Sequence, residues 1–369
     1  MNILATHREL DIAGYHMLEQ LSYKPDINIF ITAADENTKI RAKCISIKIA
    51  ALNSKISWKA IRDIRKAIKK HDIDLIFSVG SSGLSNALFA SLGTKAQNIA
   101  YRGTQKRIRR SDITYYLGIL NPRVKHIICL TPDIKEYLSK FIRPERLTIN
   151  PKPFDVSWVE KACLQPKQVE EIPENVFKVI YIAHTQGRPY KGLSFLIEAI
   201  QLLDNPNLHF IFIGNYDKKD YQLSQKGENG KNMHFLGERE DALYFLPKQN
   251  LFVLPSLRDA YPRSVKEAMA CGLPCIVSDI VGARDLVVNK ETGLLAPAGN
   301  PEKLAEAIRW FMENEEQCRN FGNAGREHII THFSVEKFID TFEKVFRLVY
   351  NQKHKAPSNS PEGGEPKLM

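Results

Sequence analysis

The chain has 369 residues, 43% of them hydrophobic and 25% charged, with a formal net charge of +10. That length exceeds one ordinary core and fits two domains, and the balance of apolar and charged residues excludes a disordered or fibrous chain. The positive surplus is confined to residues 1–160, which hold 26 Lys and Arg against 15 Asp and Glu, while the remainder holds 26 against 27. Anionic partners are therefore expected at the first half. No apolar run reaches the roughly 18 residues of a membrane span, and the first residues lack the basic start and apolar core of a secretory signal, so a cytoplasmic protein is expected. Six scattered cysteines read as reduced thiols; Cys271 and Cys275 flank Gly-Leu-Pro with no second pair or histidine to complete a zinc set, and no metal is expected.

In chain order, residues 1–6 read as a strand, 15–21 as a helix and 27–32 as a second strand. A basic amphipathic helix follows within residues 55–70. There Ile61, Ile64 and Ile68 recur at helical spacing, and Lys59, Arg62, Lys66 and Lys69 stand among the remaining positions. Such a helix can lie on anionic lipid, with Ile61 and Ile64 shallowly buried, or be an ordinary surface helix whose isoleucines face the core. A second basic cluster holds Arg102, Lys106, Arg107, Arg109 and Arg110. Without aromatic platforms or a recognition-helix signature, these clusters do not point to nucleic acid. Residues 74–79, 98–101 and 126–130 read as strands and 82–91 as a helix. Thr131 caps the next helix, with Pro132 in its first turn. Alternation of this kind argues for βα units and a mostly parallel sheet.

The polar, proline-containing stretch 150–175 reads as a junction, after which the pattern restarts. Residues 176–182, 208–214, 232–236, 251–254 and 275–278 read as strands, and 192–203 and the segment carrying Glu267 as helices. From residue 301 the chain is helical through 335–349, ahead of a Pro- and Gly-rich flexible tail. Ligands of open α/β sheets bind beyond the strand ends, and two groups of residues fall there. Arg188 and Lys191 lie between glycines at a strand end, before a helix start, where an arginine fork and a lysine charge suit a pyrophosphate; a solvated turn would read the same. Asp259 and Glu267 are acceptors matched to hydroxyl donors, Asp259 for a transferred sugar and Glu267 for a ribose, with the amides of Ala260 and Tyr261 between them. A helix N-cap and a solvated helix residue would also account for the two carboxylates.

Residues 255–297 resemble the retaining glycosyltransferases of family 4. Their motif of two glutamates separated by seven residues reads here Asp259, seven residues, Glu267, followed by Ala-Met-Ala-Cys-Gly-Leu-Pro at 268–274 and Thr-Gly-Leu-Leu-Ala-Pro at 292–297. The segment Arg188-Pro-Tyr-Lys191-Gly192 belongs to the same resemblance, and residues 100–104 and 121–130 look like members that build bacterial lipopolysaccharide or surface polysaccharide. The resemblance implies a GT-B fold, α/β, with two facing Rossmann-like domains: residues 1–160 for the acceptor and 161–334 for the nucleotide sugar. Helix 335–350 would return to the first domain, and residues 355–369 would form the tail. It also implies that Arg188 and Lys191 hold the phosphates, Glu267 the ribose, Asp259 the transferred sugar, and Phe235 to Gly237 the base. The donor would be a nucleoside-diphosphate sugar, read as a UDP-sugar, used without metal or other cofactor. The acceptor would be a phosphate-bearing glycolipid or oligosaccharide at the inner face of the cytoplasmic membrane.

Three departures stand out. Asp259 replaces the family's first Glu and is one methylene shorter. The loop after the first strand carries one glycine, Gly14, where many members place a pair opposite the diphosphate. The histidine many members carry after the strand at 98–101 is absent, Tyr101 and Arg102 standing there, while His7 and His16 remain near the first strand. These departures leave open an inactive nucleotide- or glycan-binding scaffold of the same fold.

Overall fold

The computed structural model describes residues 1–7, 10–33, 43–104, 108, 109, 111–203, 205–226, 228–259 and 261–354. Short β-branched and aromatic runs alternate with amphipathic helices to build two compact units, residues 1–151 with 338 onward, and residues 152–337. In the first unit the order is β1 (Asn2–His7), α1 (Ile12–Ser22), β2 (Asn28–Ala33), β3 (Ile45–Lys48), α2 (Trp58–Lys70), β4 (Leu75–Val79), α3 (Ser81–Ala90), β5 (Gln97–Arg102), β6 (Val124–Cys129), α4 (Pro132–Ser139) and β7 (Leu147–Ile149). The second runs α5 (Ser157–Leu164), β8 (Phe177–Ile182), α6 (Leu193–Gln201), β9 (Leu208–Ile213), α7 (Lys218–Ser224), β10 (Met233–Phe235), β11 (Leu251–Leu254), α8 (Arg263–Ala270), β12 (Cys275–Ser278), β13 (Gly293–Ala296), α9 (Pro301–Glu313) and α10 (Glu315–His332). The last helix, α11 (Val335–His354), carries the chain back to the first unit.

Both sheets are parallel, in the orders β3-β2-β1-β4-β5-β6-β7 and β10-β9-β8-β11-β12-β13. Strand order reverses beside the first strand of each, between β1 and β4 and between β8 and β11, and the crevice beyond the carboxyl ends at such a reversal is where α/β sheets bind ligands. Asp11 caps α1, Ser57 caps α2 and Thr131 caps α4, each side chain accepting a backbone N–H three residues on.

Helix α2 shows how sequence pattern becomes packing. Ile61, Ile64 and Ile68 are buried against Leu4, Phe30 and Ile76, and each stabilises the unit by about 1.5–3 kcal/mol. Ile61 and Ile64 are thus core residues, which decides for the ordinary surface helix whose isoleucines face the core and against their entering lipid; Lys59, Arg62, Lys66 and Lys69 occupy the exposed face. Helix α11 closes the other side of that sheet. Its Phe338, Phe342, Val345, Phe346 and Val349 share a core with Ile3, Ile29 and Phe77, and Asn150 Nδ2 donates to the Phe338 carbonyl at 3.0 Å. Residues 152–160, assigned from the sequence to the first domain, lie in the second unit, where α5 buries Val159 and Ala162. The tail assigned to 355–369 falls outside the described residues.

Candidate functional site

The loops leaving β8 and β11 meet at the strand-order reversal of the second sheet. After β8 the chain forms a short 3-10 turn over Pro189–Lys191, then Gly192 at φ +80° opens α6. A Cβ at Gly192 would lie 2.0 Å from the Pro255 carbonyl oxygen, so only glycine lets the two backbones touch here. The Leu257 amide donates to the Tyr190 carbonyl at 2.7 Å, and Tyr181 Oη donates to the Lys191 carbonyl at 3.1 Å. These contacts aim Lys191 at the second loop, where Nζ is 2.6 Å from Asp259 Oδ2, both side chains being less than one-fifth exposed. Arg188 stands at the start of the 3-10 turn, exposed. The structure therefore brings Lys191 and Asp259 into contact and puts Arg188 at the start of the 3-10 turn that leads into α6.

Glu267 lies on α8, seven-hundredths exposed, and its Oε1 accepts from Arg263 Nε at 2.8 Å one turn earlier. Burial raises the Glu267 carboxyl pKa, an effect opposed by the Arg263 guanidinium. Arg263 in turn lies over the Trp158 ring at 5.3 Å. Neither Arg263 nor Trp158 was singled out from the sequence, although an Arg four residues before a candidate carboxylate is a readable helical pair. Ala260 lies outside the described residues. Tyr261 is buried and adopts φ +61°, a left-handed conformation uncommon for a bulky side chain.

Lys266, also passed over in the sequence, is almost fully buried beside Glu267. Its Nζ donates to the Lys152 carbonyl at 2.6 Å and lies over the rings of Phe333 at 4.9 Å and Tyr261 at 5.4 Å. Burial, with a smaller push from the Lys152 charge, lowers its pKa to about 7. A lysine so depressed binds its proton more weakly in the folded chain than in the unfolded one. Between pH of about 7 and about 10.4 the unfolded state holds more protons, so this group makes stability rise with pH across that window. Lys266→Met lacks this contribution. Denaturant unfolding at pH 7 and pH 10 is expected to show wild type gaining on the variant by a few kcal/mol, on the order set by the shift; a constant gap contradicts an ionisation of this kind.

At the ends of β9 and β10, Phe235 stacks on Phe212 with centroids 4.5 Å apart and meets Tyr216 and Tyr221 edge-on at 4.8 and 5.3 Å. Gly237, at φ +70°, accepts from the Gly214 amide at 2.8 Å, which ties together the chain ends leaving β9 and β10 beside this aromatic cluster. In the first unit Gly14 lies within α1, not in a loop as expected, because Asp11 caps the helix and binds the Gly14 amide at 2.9 Å. His7, at the end of β1, is packed edge-on against Tyr15 with neither ring nitrogen hydrogen-bonded, and burial lowers its pKa. Arg102 is half-buried at the end of β5 rather than displayed on the surface, its pKa lowered by burial, whereas Arg109 is exposed. Lys106, Arg107 and Arg110 lie outside the described residues.

Residues 165–328 match the family model described as glycosyl transferases group 1. An uncharacterised glycosyltransferase of Methanocaldococcus jannaschii is 26% identical over 92% of this chain and 89% of its own. The N,N'-diacetylbacillosaminyl-diphospho-undecaprenol alpha-1,3-N-acetylgalactosaminyltransferase of Campylobacter jejuni is 28% identical over a segment spanning 43% of each chain, less than half its length. Among solved structures, Anabaena HepE in complex with UDP superposes with a TM-score of 0.72 at 17% identity, covering 94% of this chain and 99% of its own. The α/β fold of these glycosyltransferases, GT-B in class, is the one described above.

Proposed function

We propose, from the premise that residues 165–328 are a glycosyl transferases group 1 domain and the chain a transferase enzyme, that it moves a sugar from a nucleoside-diphosphate sugar, a UDP-sugar, to a hydroxyl of a phosphate-bearing glycolipid or oligosaccharide in bacterial surface polysaccharide or lipopolysaccharide synthesis. The observation that carries this reading is the Lys191–Asp259 contact at the strand-order reversal, with buried Glu267 on the helix that follows. The diphospho-undecaprenol in the Campylobacter relative's name supports a diphosphate-bearing lipid acceptor. Lys191 and Arg188 hold the diphosphate, Asp259 a hydroxyl of the sugar and Glu267 the ribose. The base rests by Phe235.

The transfer proceeds with retention. The bond from the anomeric carbon to the phosphate oxygen breaks, the acceptor oxygen bonds the anomeric carbon on the same face, and the departing phosphate takes the acceptor proton. Arg188 and Lys191 stabilise the charge that develops on it, so the positive charge comes from side chains and the α6 amides without a metal. Proton NMR of the product formed from an α-linked donor is the test: an α linkage is expected, and a β linkage overturns retention. The engagement of the shorter Asp259 by Lys191 favours one alternative, a scaffold that binds nucleotide without transfer.

We also place the first unit against an anionic membrane. Among the described residues no helix is long and apolar enough to cross one. Trp58 and Ile113 are 79% and 70% exposed, and Lys55, 5.9 Å from the Tyr115 ring, ties their two segments together. Exposed Lys59, Arg62, Lys66, Lys69 and Arg109 supply charge. Each basic residue near an anionic bilayer contributes about 1 kcal/mol, and the attraction weakens as salt rises. Changing Lys66, Lys69 and Arg109 to Glu is expected to abolish co-sedimentation with phosphatidylserine vesicles at low salt. Unchanged binding by that variant removes the surface from the account.

A further inference from the structure

Between the two carboxylates assigned to the donor, the backbone takes a turn it would not hold by itself. Tyr261 sits at φ +61°, a conformation unfavourable for an L-residue, and it is followed by Pro262, which cannot donate an amide to the start of α8. Something must over-determine the turn. The Tyr261 ring is buried, meeting Phe333 edge-on at 5.8 Å, and the Lys266 ammonium lies 5.4 Å from its centroid.

That ammonium has three attachments on three separate segments. It lies over Phe333 at 4.9 Å, over Tyr261 at 5.4 Å, and donates to the Lys152 carbonyl at 2.6 Å. The Phe154 amide donates to the Phe333 carbonyl at 2.7 Å, so the segment entering the unit and the end of α10 are already joined to each other. Lys266 ties both to the Tyr261 turn. It sits in α8 immediately before Glu267, whose own side chain is engaged by Arg263 rather than by this cluster. A buried lysine carries a desolvation cost that an apolar residue would avoid, so its retention here requires a gain other than packing.

We infer that Lys266 is a positioning residue for donor binding: it clamps the left-handed turn at Tyr261 and thereby sets the reach of Asp259 and Glu267 toward one nucleotide sugar. It touches neither carboxylate and no step of transfer uses it. What it positions rests on the donor-site reading given above; that it clamps the turn does not. The proton it carries also fits the rings, since a cation is held over aromatic faces more tightly than a neutral amine.

The test uses the full chain as wild type, Lys266→Met, Lys266→Arg, Tyr261→Gly, and the double variant. Amide hydrogen exchange is followed over residues 261–267, and UDP, GDP and ADP are titrated by calorimetry, with Glu267→Gln as a control on the donor site. In Lys266→Met, exchange over 261–267 is expected to quicken by about tenfold or more while the thermal midpoint holds or rises, with nucleoside-diphosphate affinity falling by a comparable factor. Arginine keeps the charge and the aromatic contact, so Lys266→Arg is expected to regain most of both. Because the residue acts through the turn, adding Lys266→Met to Tyr261→Gly is expected to cost little more than Tyr261→Gly alone. Unchanged exchange in Lys266→Met, no recovery with arginine, or multiplying effects in the double variant overturns the clamp. Altered exchange in a chain that binds none of the three nucleotides keeps the clamp and overturns the donor role; unaltered affinity in Glu267→Gln overturns the donor-site reading alone.

Discussion

Replacing Lys191 by alanine is expected to lower sugar transfer by on the order of 100- to 1,000-fold, the loss typical when one preorganised donor to a developing negative charge is removed. Two physical effects add. The cation proposed to meet the leaving diphosphate disappears, and Asp259, whose Oδ2 is 2.6 Å from Lys191 Nζ in a largely enclosed setting, loses its partner. The carbonyls of the 3-10 turn over Pro189–Lys191 are held by the Leu257 amide and the Tyr181 hydroxyl, so the fold survives the truncation. Lys191→Arg is expected to recover activity only in part, because a planar fork on a longer stem does not reproduce a compact ammonium. Initial rates beside thermal midpoints separate the two effects. An active Lys191→Ala would take this lysine out of the reaction.

Gly192→Ala is expected to be among the most damaging small substitutions in the second unit. An alanine there must adopt φ +80° and bring its Cβ to 2.0 Å from the Pro255 carbonyl oxygen. The conformation alone costs roughly 1–2 kcal/mol. The clash is with backbone, which cannot rotate away, so the β8 and β11 loops must part, at a total cost above about 3 kcal/mol. Parting them breaks the Leu257–Tyr190 hydrogen bond and draws Lys191 off Asp259, so stability and nucleotide binding fall together. Gly187 is the internal control: its φ is +66°, but an added Cβ meets nothing within 4 Å. Gly187→Ala is expected to cost only the conformational share. Equal losses from the two substitutions, measured by denaturant unfolding, contradict the close-approach argument.

The parallel α/β architecture was legible because buried strands of parallel sheets are near-continuous apolar runs, as in β8 and β9, and because capping residues such as Thr131 mark helix starts. Three of the four edge strands were not. β3, β7 and β13 have three or four residues, too few for a period to emerge, and β13 reads as Gly-Leu-Leu-Ala, with no β-branched residue. The pairing of Asp259 with Lys191 joins residues 68 positions apart, which no local pattern reveals; only the expectation that both loops leave neighbouring strand ends brought them near each other. Gly14 was misplaced because a glycine after a strand was read as a loop residue when Asp11 had already started the helix. Lys266 escaped notice because a lysine in a helix is ordinarily solvated, and its burial depends on Phe333 and Lys152, each far away in sequence.

The central claim is that this chain breaks the sugar–phosphate bond of a nucleoside-diphosphate sugar at the site formed by Arg188, Lys191, Asp259 and Glu267. Its most direct measurement is mass spectrometry of UDP-, GDP- and ADP-sugars incubated with wild type and with Lys191→Ala, alongside a lipid-diphosphate acceptor panel. The account predicts that wild type releases nucleoside diphosphate from a UDP-sugar while adding that sugar's mass to an acceptor, and that Lys191→Ala does so at least about 100-fold more slowly. Nucleotide binding with no release from any donor, or release that Lys191→Ala matches, would contradict it.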